Sequence, residues 1–273
     1  MKLTAVILTK NAEDSIERCL KSVIFADEII IVDDNSTDKT IEKVHQVLKA
    51  CLRRQVQKVY KVIQRKLAGD FAEQRNFALE KAGGDWILFV DADEEVTAEL
   101  RKEILGIRDR RYERGDKEQI AAFHLKRKDL FWSKELKFGE TMNARNKGII
   151  RLVKRNSGKW MGKVHEEYKV GSSKFEVWSL KHYLNHYPHQ TIKEFLQEVN
   201  FYSTLRAKEL YEEEKKTTIF AILFYPSGKF ILTYFLKLGF LDGPAGFAYA
   251  FFMSFHSFLV RAKLYQYHLK KAT

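Results

Sequence analysis

A chain of 273 residues that is 45% apolar and 31% charged is globular, long enough for one large domain or a domain with an appendage, and not a disordered polypeptide. Its formal charge of +12 implies an anionic partner, whether a nucleotide, a nucleic acid or an acidic membrane surface, and charge alone does not choose among them. The two cysteines, Cys19 and Cys51, fall at apolar positions of predicted helices without metal-type spacing; no disulfide framework is implied, and core thiols in a reducing compartment are expected.

The chain opens directly on a strand-like segment with no basic leader and no small-residue cleavage site, which predicts a cytoplasmic catalytic part without a secretory signal. Leu3 to Leu8 is an apolar run ending at Thr9, Lys10 and Asn11. Ile16, Cys19, Leu20 and Val23 follow at the spacing of a helix face. Glu28 to Val32 is the second strand, ending in Asp33 and Asp34. The NSTDKT turn then supplies capping side chains, and Ile41, Val44, Leu48 and Cys51 continue with helical period. Val59 to Ile63 is a weaker third strand, and Asp70 to Lys81 a third helix closed by Gly83 and Gly84. Trp86 to Val90, five large apolar residues in a row, reads as a strand buried on both faces; it stops at Asp91, and Asp93 follows two residues later.

Strands alternating with helices predict an α/β fold of βαβ units in a mainly parallel sheet with right-handed crossovers. Thr9, Asn11, Asp33, Asp34, Asp91 and Asp93 then fall at one edge, the carboxyl ends of the strands, where open α/β sheets place their ligands. Two carboxylates one residue apart as a strand breaks into a loop can share a hard divalent cation, which can in turn hold phosphate oxygens. The plainer alternative is that some of these side chains, such as Ser36 or Asp38, cap the following helices.

After residue 110 the pattern changes. A polar loop over 113–118 precedes shorter strands at Ile120–Leu125, Gly148–Val153 and Tyr168–Val177. Lys126, Arg127, Lys128, Arg151 and Lys154 crowd near Phe131, Trp132 and Trp160, which suits sugar and phosphate; no helix-turn-helix, finger or aromatic RNA-binding signature accompanies them, so no nucleic-acid partner is expected. Gln190 to Lys216 reads as a helix, and the composition then turns aromatic. Gly243 to Val260 carries no charge but has 18 residues, short of the roughly 20 that a spanning helix needs. Flanked by Lys229, Lys237, Arg261, Lys263, Lys270 and Lys271, it predicts interfacial attachment to an anionic leaflet, the alternative being a core or homo-oligomer interface. The expected domains are 1–205 and a C-terminal helical region, 206–273.

ILTKNAEDSIERCLKSV, EIIIVDDNSTDKT, QRNFALEKAGGDWILFVDADEE and RLVKRNSGKWMGKVHEEY, in that order over roughly residues 1 to 200, together resemble inverting family 2 glycosyltransferases of the GT-A fold. The similarity is greatest to the lipopolysaccharide-core β-glucosyltransferase subgroup, and extends to FLDGPAG with its aromatic flanks. That resemblance implies a nucleotide-diphosphate sugar donor, UDP-glucose-like, with Mg2+ or Mn2+, and a glycan or lipid-linked acceptor in cell-envelope polysaccharide synthesis at the inner face of the plasma membrane. Asp33 or Asp34 matches the acid that contacts base or ribose, Thr9 and Asn11 border the nucleotide, and Arg75 and Asn76 match the RN pair near nucleotide and phosphates. Asp93 is the expected direct metal ligand, with Asp91 on the ribose or a metal-bound water. Glu166 matches the base, with Glu167 as runner-up and His165 assisting; as neighbours in a strand the two glutamates face opposite sides, so one of them can enter the site. His182, with His186 behind it, matches a late metal-binding histidine. The QxxRW motif of processive synthases is missing, which implies one sugar per acceptor.

Three rivals stand beside this reading. A phosphatase of the haloacid dehalogenase type also carries DxD after a strand, but that strand usually opens the domain. A nucleotidyltransferase should carry a glycine-rich loop after the first strand, where ILTKNAEDS has no glycine. A basic membrane-surface or nucleic-acid binding module would be repelled from phosphate by the converging acids.

Overall fold

The computed structural model describes residues 1–52, 59–109, 120–164 and 166–272. The expected loop over 113–118 and His165 lie outside the described residues. Strands β1 (Leu3–Thr9), β2 (Glu28–Asp33), β3 (Val59–Gln64) and β4 (Trp86–Asp91) alternate with helices α1 (Ile16–Val23), α2 (Thr40–Leu52) and α3 (Phe71–Lys81). Their order across the sheet is β3-β2-β1-β4, all parallel. Strand alternation divides the apolar side chains between two cores. Ala5, Ile7, Ile29, Ile31, Leu88 and Val90 pack with α1 and α2 on one face; Val6, Ile30, Val32, Ile87 and Phe89 pack with Ala72 and Ala78 of α3 on the other.

The chain runs outward from β1 through β2 to β3 and then returns to β4 on the other side of β1, so the topological switch lies between β1 and β4. Thr9 pairs with Asp33 and Leu8 with Asp91 in the register, which sets three of the expected site residues on adjoining strand ends.

Beyond β4 come β5 (Glu94–Val96), α4 (Ala98–Asp109), β6 (Ile120–Phe131), β7 (Lys134–Leu136), α5 (Met142–Asn146), β8 (Ile149–Lys154), β9 (Gly158–Met161), β10 (Glu167–Val170) and β11 (Glu176–His186). The sheet continues β8-β6-β11-β5, with β7 on β6; β8 runs antiparallel to β4, and β11 antiparallel to β5. β9 and β10 form a separate antiparallel pair. The strand expected over Tyr168–Val177 is thus the end of β10 and the start of β11, with a turn between them.

The chain divides into two compact units, 1–127 with 146–186, and 128–145 with 187–273. In the second unit α6 (Ile192–Glu212) starts on a capping box of Thr191 and Glu194, and residue 205 lies within this helix. α7 (Ile219–Phe230) runs into a π-helical stretch, Ile231–Leu236, then a 3-10 turn, Gly239–Asp242, and α8 (Gly243–Ala272). Phe131, Phe195 and Tyr249 join edge to face or tilted with centroids 5.4–5.7 Å apart, and Ala207, Leu210, Val260 and Leu264 close α6 on α8. The Gly243–Val260 segment therefore contributes Ala245, Tyr249, Ala250 and Val260 to a core. The large apolar exposure lies one segment earlier: Ile219–Leu236 is long and apolar enough to cross a membrane by length and composition, and 6% of it is buried.

Candidate active site

α3 begins at Asp70, whose carboxylate accepts the Glu73 N–H, and turns Arg75 inward to 2% exposure. A buried guanidinium needs anionic partners. Arg75 has two: Nε donates to Glu166 Oε1 at 2.8 Å and Nη2 to Asp91 Oδ1 at 2.9 Å, while its plane lies against Phe89 and Trp160, 5.5 and 5.0 Å from their ring centroids. Its Nη1 is buried without a hydrogen-bond partner among the described residues. From β8, Arg151 donates through Nη2 to Asp91 Oδ2 and to Glu94 Oε1. Glu94, fully buried, also accepts the Asp91 N–H at 3.0 Å. The DADEE turn is thus folded around Glu94.

Burial pushes the Asp91 carboxyl up, but Arg151 and Arg75 beside it outweigh that and hold it well below the usual carboxylate range. Asp93 is lowered too, burial being outweighed by His186, whose Nε2 lies 3.2 Å from Asp93 Oδ2. With both Asp91 oxygens on arginines, Asp93 is the acid with room for a ligand, its side chain 40% exposed.

A carboxylate oxygen and an imidazole nitrogen at this separation suit Mg2+ or Mn2+. Among the described residues no group of three or more metal-binding side chains is assembled; Asp93 and His186 are the pair there that could contribute ligands to a cation. His182 is not brought to them. Its Nδ1 lies 2.8 Å from Glu103 Oε2, and four strand residues, about 13 Å, separate it from His186. The late histidine that meets the acids is His186.

Of the paired glutamates, Glu166 faces Arg75 and is 14% exposed; Glu167 is 70% exposed and pairs with Lys169. On the β1 and β2 side, Thr9 is buried and its hydroxyl has no partner among the described residues, an orphan that a ligand would satisfy. Asp33 holds the Ser36 hydroxyl and N–H, and Asp34 accepts the Leu67 N–H at 2.8 Å and pairs with Lys10 at 2.6 Å. Asn11, in the left-handed region at φ 46°, accepts the Thr37 N–H and gives its own N–H to Ser36. Asn11, Asp33 and Asp34 tie together the loops that follow β1, β2 and β3.

Asn76 Nδ2 donates to the Trp160 carbonyl and its Oδ1 accepts the Trp160 N–H, both at 2.9 Å, so it clamps α3 to β9. Arg151 and Glu94 were not singled out by the sequence. Arg151 stood there as one cation in a basic crowd, and Glu94 as a continuation of an acidic run.

The sequence model described as Glycosyl transferase family 2 matches residues 4–149. "Lipopolysaccharide core biosynthesis glycosyltransferase LpsC" of Rhizobium meliloti (strain 1021) is 30% identical over 282 residues, covering 100% of this chain and 95% of that protein. "Uncharacterized glycosyltransferase RT0209" of Rickettsia typhi is 30% identical over 98% of this chain and 88% of its own length. Among solved structures, "Mannosyltransferase PcManGT from Pyrobaculum calidifontis in complex with GDP-Man and Mn2+" shares the fold with a TM-score of 0.57 at 13% identity, covering 96% of this chain and 86% of that one.

Proposed function

We propose that this chain, which belongs to glycosyl transferase family 2, is an inverting glycosyltransferase whose reaction is carried by Asp93, His186, Arg75 and Glu166. The donor is a nucleoside-diphosphate sugar, UDP-glucose-like, lying along the strand ends with its nucleotide against Thr9, Asn11, Asp33 and Asp34 and its ribose toward Asp91. Asp93 and His186 would hold Mg2+ or Mn2+, which would supply Lewis-acid neutralisation of negative charge on the diphosphate. Glu166 takes the proton of the acceptor hydroxyl while that oxygen attacks the anomeric carbon opposite the leaving group. The new C–O bond forms as the sugar–diphosphate bond breaks, and the nucleoside diphosphate departs.

One observation carries this reading: a single buried guanidinium, Arg75, joins the acid at the end of β4 to Glu166. Donor edge and base are thereby held by one planar fork. The acceptor is a glycan or lipid-linked glycan of the cell envelope, supported by the full-length similarity to a lipopolysaccharide-core enzyme, and the protein works at the cytoplasmic face of the inner membrane, bound peripherally.

Asp93→Ala and Glu166→Gln are each expected to abolish transfer; the midpoint should stay within about 3 °C of the parent for Asp93→Ala, whose side chain is 40% exposed, and fall by a few degrees for Glu166→Gln, which keeps an oxygen on Arg75 but loses the charge. Full activity in Glu166→Gln would remove it as the base. A thermal-shift panel of uridine and guanosine diphosphates and their sugars with Mn2+ should raise stability with the true donor, as a ligand of the native state does. No response to any of them would sink the donor assignment.

A further inference from the structure

α7 starts on Thr218, whose hydroxyl accepts the Ala221 N–H, and packs one side on α8. Ile222, Pro226, Phe230 and Thr233 lie on the less exposed side. The opposite side is apolar and open: Phe220 is 68% exposed, Leu223 58%, Phe224 67%, Ile231 51%, Phe235 53% and Leu236 72%. Helices in water normally show the reverse. Beyond the face, a Cβ on Gly246 of α8 would come within 2.1 Å of the Gly239 carbonyl, so the turn that returns the chain is packed backbone on backbone. A contiguous apolar surface of this extent marks an interaction site.

Charge chooses the occupant. From Lys215 to Thr273 the sequence carries eight lysines and arginines and one side-chain acid, Asp242, which is buried on the N–H groups of Lys137 and Phe138. Lys215 and Lys216 precede the apolar face and Lys237 ends it. A second copy would oppose like charges there, whereas anionic headgroups complement them. A crossing orientation fits poorly. Eighteen helical residues reach about 27 Å, close to the roughly 30 Å of a hydrocarbon core, so it is the charge within the segment and not its length that argues against crossing. Lys229 sits in mid-segment with its ammonium 2.7 Å from Glu140, a pair that would be costly at bilayer depth.

We infer that the open face of Ile219–Leu236, with Phe240 and Leu241 beyond it, lies in the plane of an anionic leaflet as a monotopic insertion, its side chains sunk into the acyl boundary and its lysines at the headgroups. This rests on the membrane-surface reading above and adds which face binds and how deep.

Flotation of the full chain with phosphatidylcholine vesicles, with and without about 30% phosphatidylglycerol, tests it. The protein is expected with the anionic vesicles. The double variant Leu223→Glu, Phe235→Glu should lose about tenfold or more in vesicle binding while its thermal midpoint stays within about 2 °C, both positions being exposed. In Phe224→Trp, the added fluorescence should be quenched more by lipids brominated near the headgroup than by those brominated at the chain ends. Wild type and double variant floating equally would overturn the face while leaving peripheral attachment standing. A wild type that binds neither vesicle overturns both. Stronger quenching from the chain ends overturns the in-plane depth, and a wild-type dimer in light scattering that the double variant converts to monomer makes the face a self-interface. None of these readouts uses catalysis, so they are independent of the transferase assignment.

Discussion

Truncating Arg75 to alanine leaves Asp91 with Arg151 as its remaining arginine and strips Glu166 of the bond that orients it. Breaking one partner of a buried ion pair costs about 3–5 kcal/mol, and the lower end applies here because Asp91 keeps Arg151 and is about a third exposed. Arg75→Ala is expected to lower kcat/KM by about 100-fold or more, with a thermal midpoint several degrees down. Arg75→Lys keeps the charge but cannot reach two carboxylates with one planar group, so it should fall between the two. Steady-state kinetics beside thermal denaturation checks this; wild-type kcat/KM in Arg75→Lys would mean that charge alone matters. Asp91 and Arg75 were legible because a buried strand ending in acids and an RN pair carry their own signals. The contacts that Asn76 and His186 make were not. Adjacent helical residues point about 100° apart, which sends Asn76 to Trp160, and only the register of β11 against β5, His186 opposite Glu94, reveals which histidine stands near the acids.

The parallel half of the sheet was readable as elements because each strand is bounded by its own turn and followed by a helix of period 3.6. The antiparallel half was not, since β5 is three residues long and β8 meets β4 across an interval that no local pattern records. What seats β4 is the turn before it. Gly84 gives its N–H to the Thr4 hydroxyl, and Gly83 gives its N–H to Glu28, which also accepts the Thr4 hydroxyl. A Cβ on Gly84 would lie 2.7 Å from both Thr4 N and its hydroxyl oxygen, on backbone that cannot yield without moving β1. Gly84→Ala is therefore expected to cost about 1–3 kcal/mol by overpacking. Gly106→Ala, where nothing lies within 4 Å of the added methyl, should instead be neutral or slightly stabilising in its helix. Urea denaturation of the two variants makes the comparison, and equal midpoints would show that the α3–β4 turn relaxes freely.

Across the whole molecule, acid should act first on the unit that holds the strand-end acids. Burial pushes the carboxyls of Glu28, Asp38 and Glu103 up, yet each is held below its ordinary value: Glu28 by Lys61, the Gly83 N–H and the Thr4 hydroxyl, Asp38 by the Thr40 hydroxyl and N–H, Glu103 by the Lys181 N–H and by His182. Asp91 is lowered more strongly, by its two arginines. All four lie in the unit formed by 1–127 and 146–186. A carboxyl lowered in the folded state contributes stability that is complete above its unfolded value, about 3.9 for Asp and 4.3 for Glu, and is lost as pH falls through the folded value. In the second unit the packing of Phe131, Phe195 and Tyr249 and the aliphatic contacts between α6 and α8 involve no carboxyl. Between about pH 4.5 and pH 2, amide exchange in β1, β2 and β4 should accelerate before that in α6 and the middle of α8. Glu28→Gln should lower stability at pH 7, and its deficit relative to wild type should shrink through the same window as wild-type Glu28 itself takes up a proton. Exchange that rises in α6 and α8 first, or a deficit that does not change with pH, would place the acid sensitivity elsewhere than in these buried carboxylates.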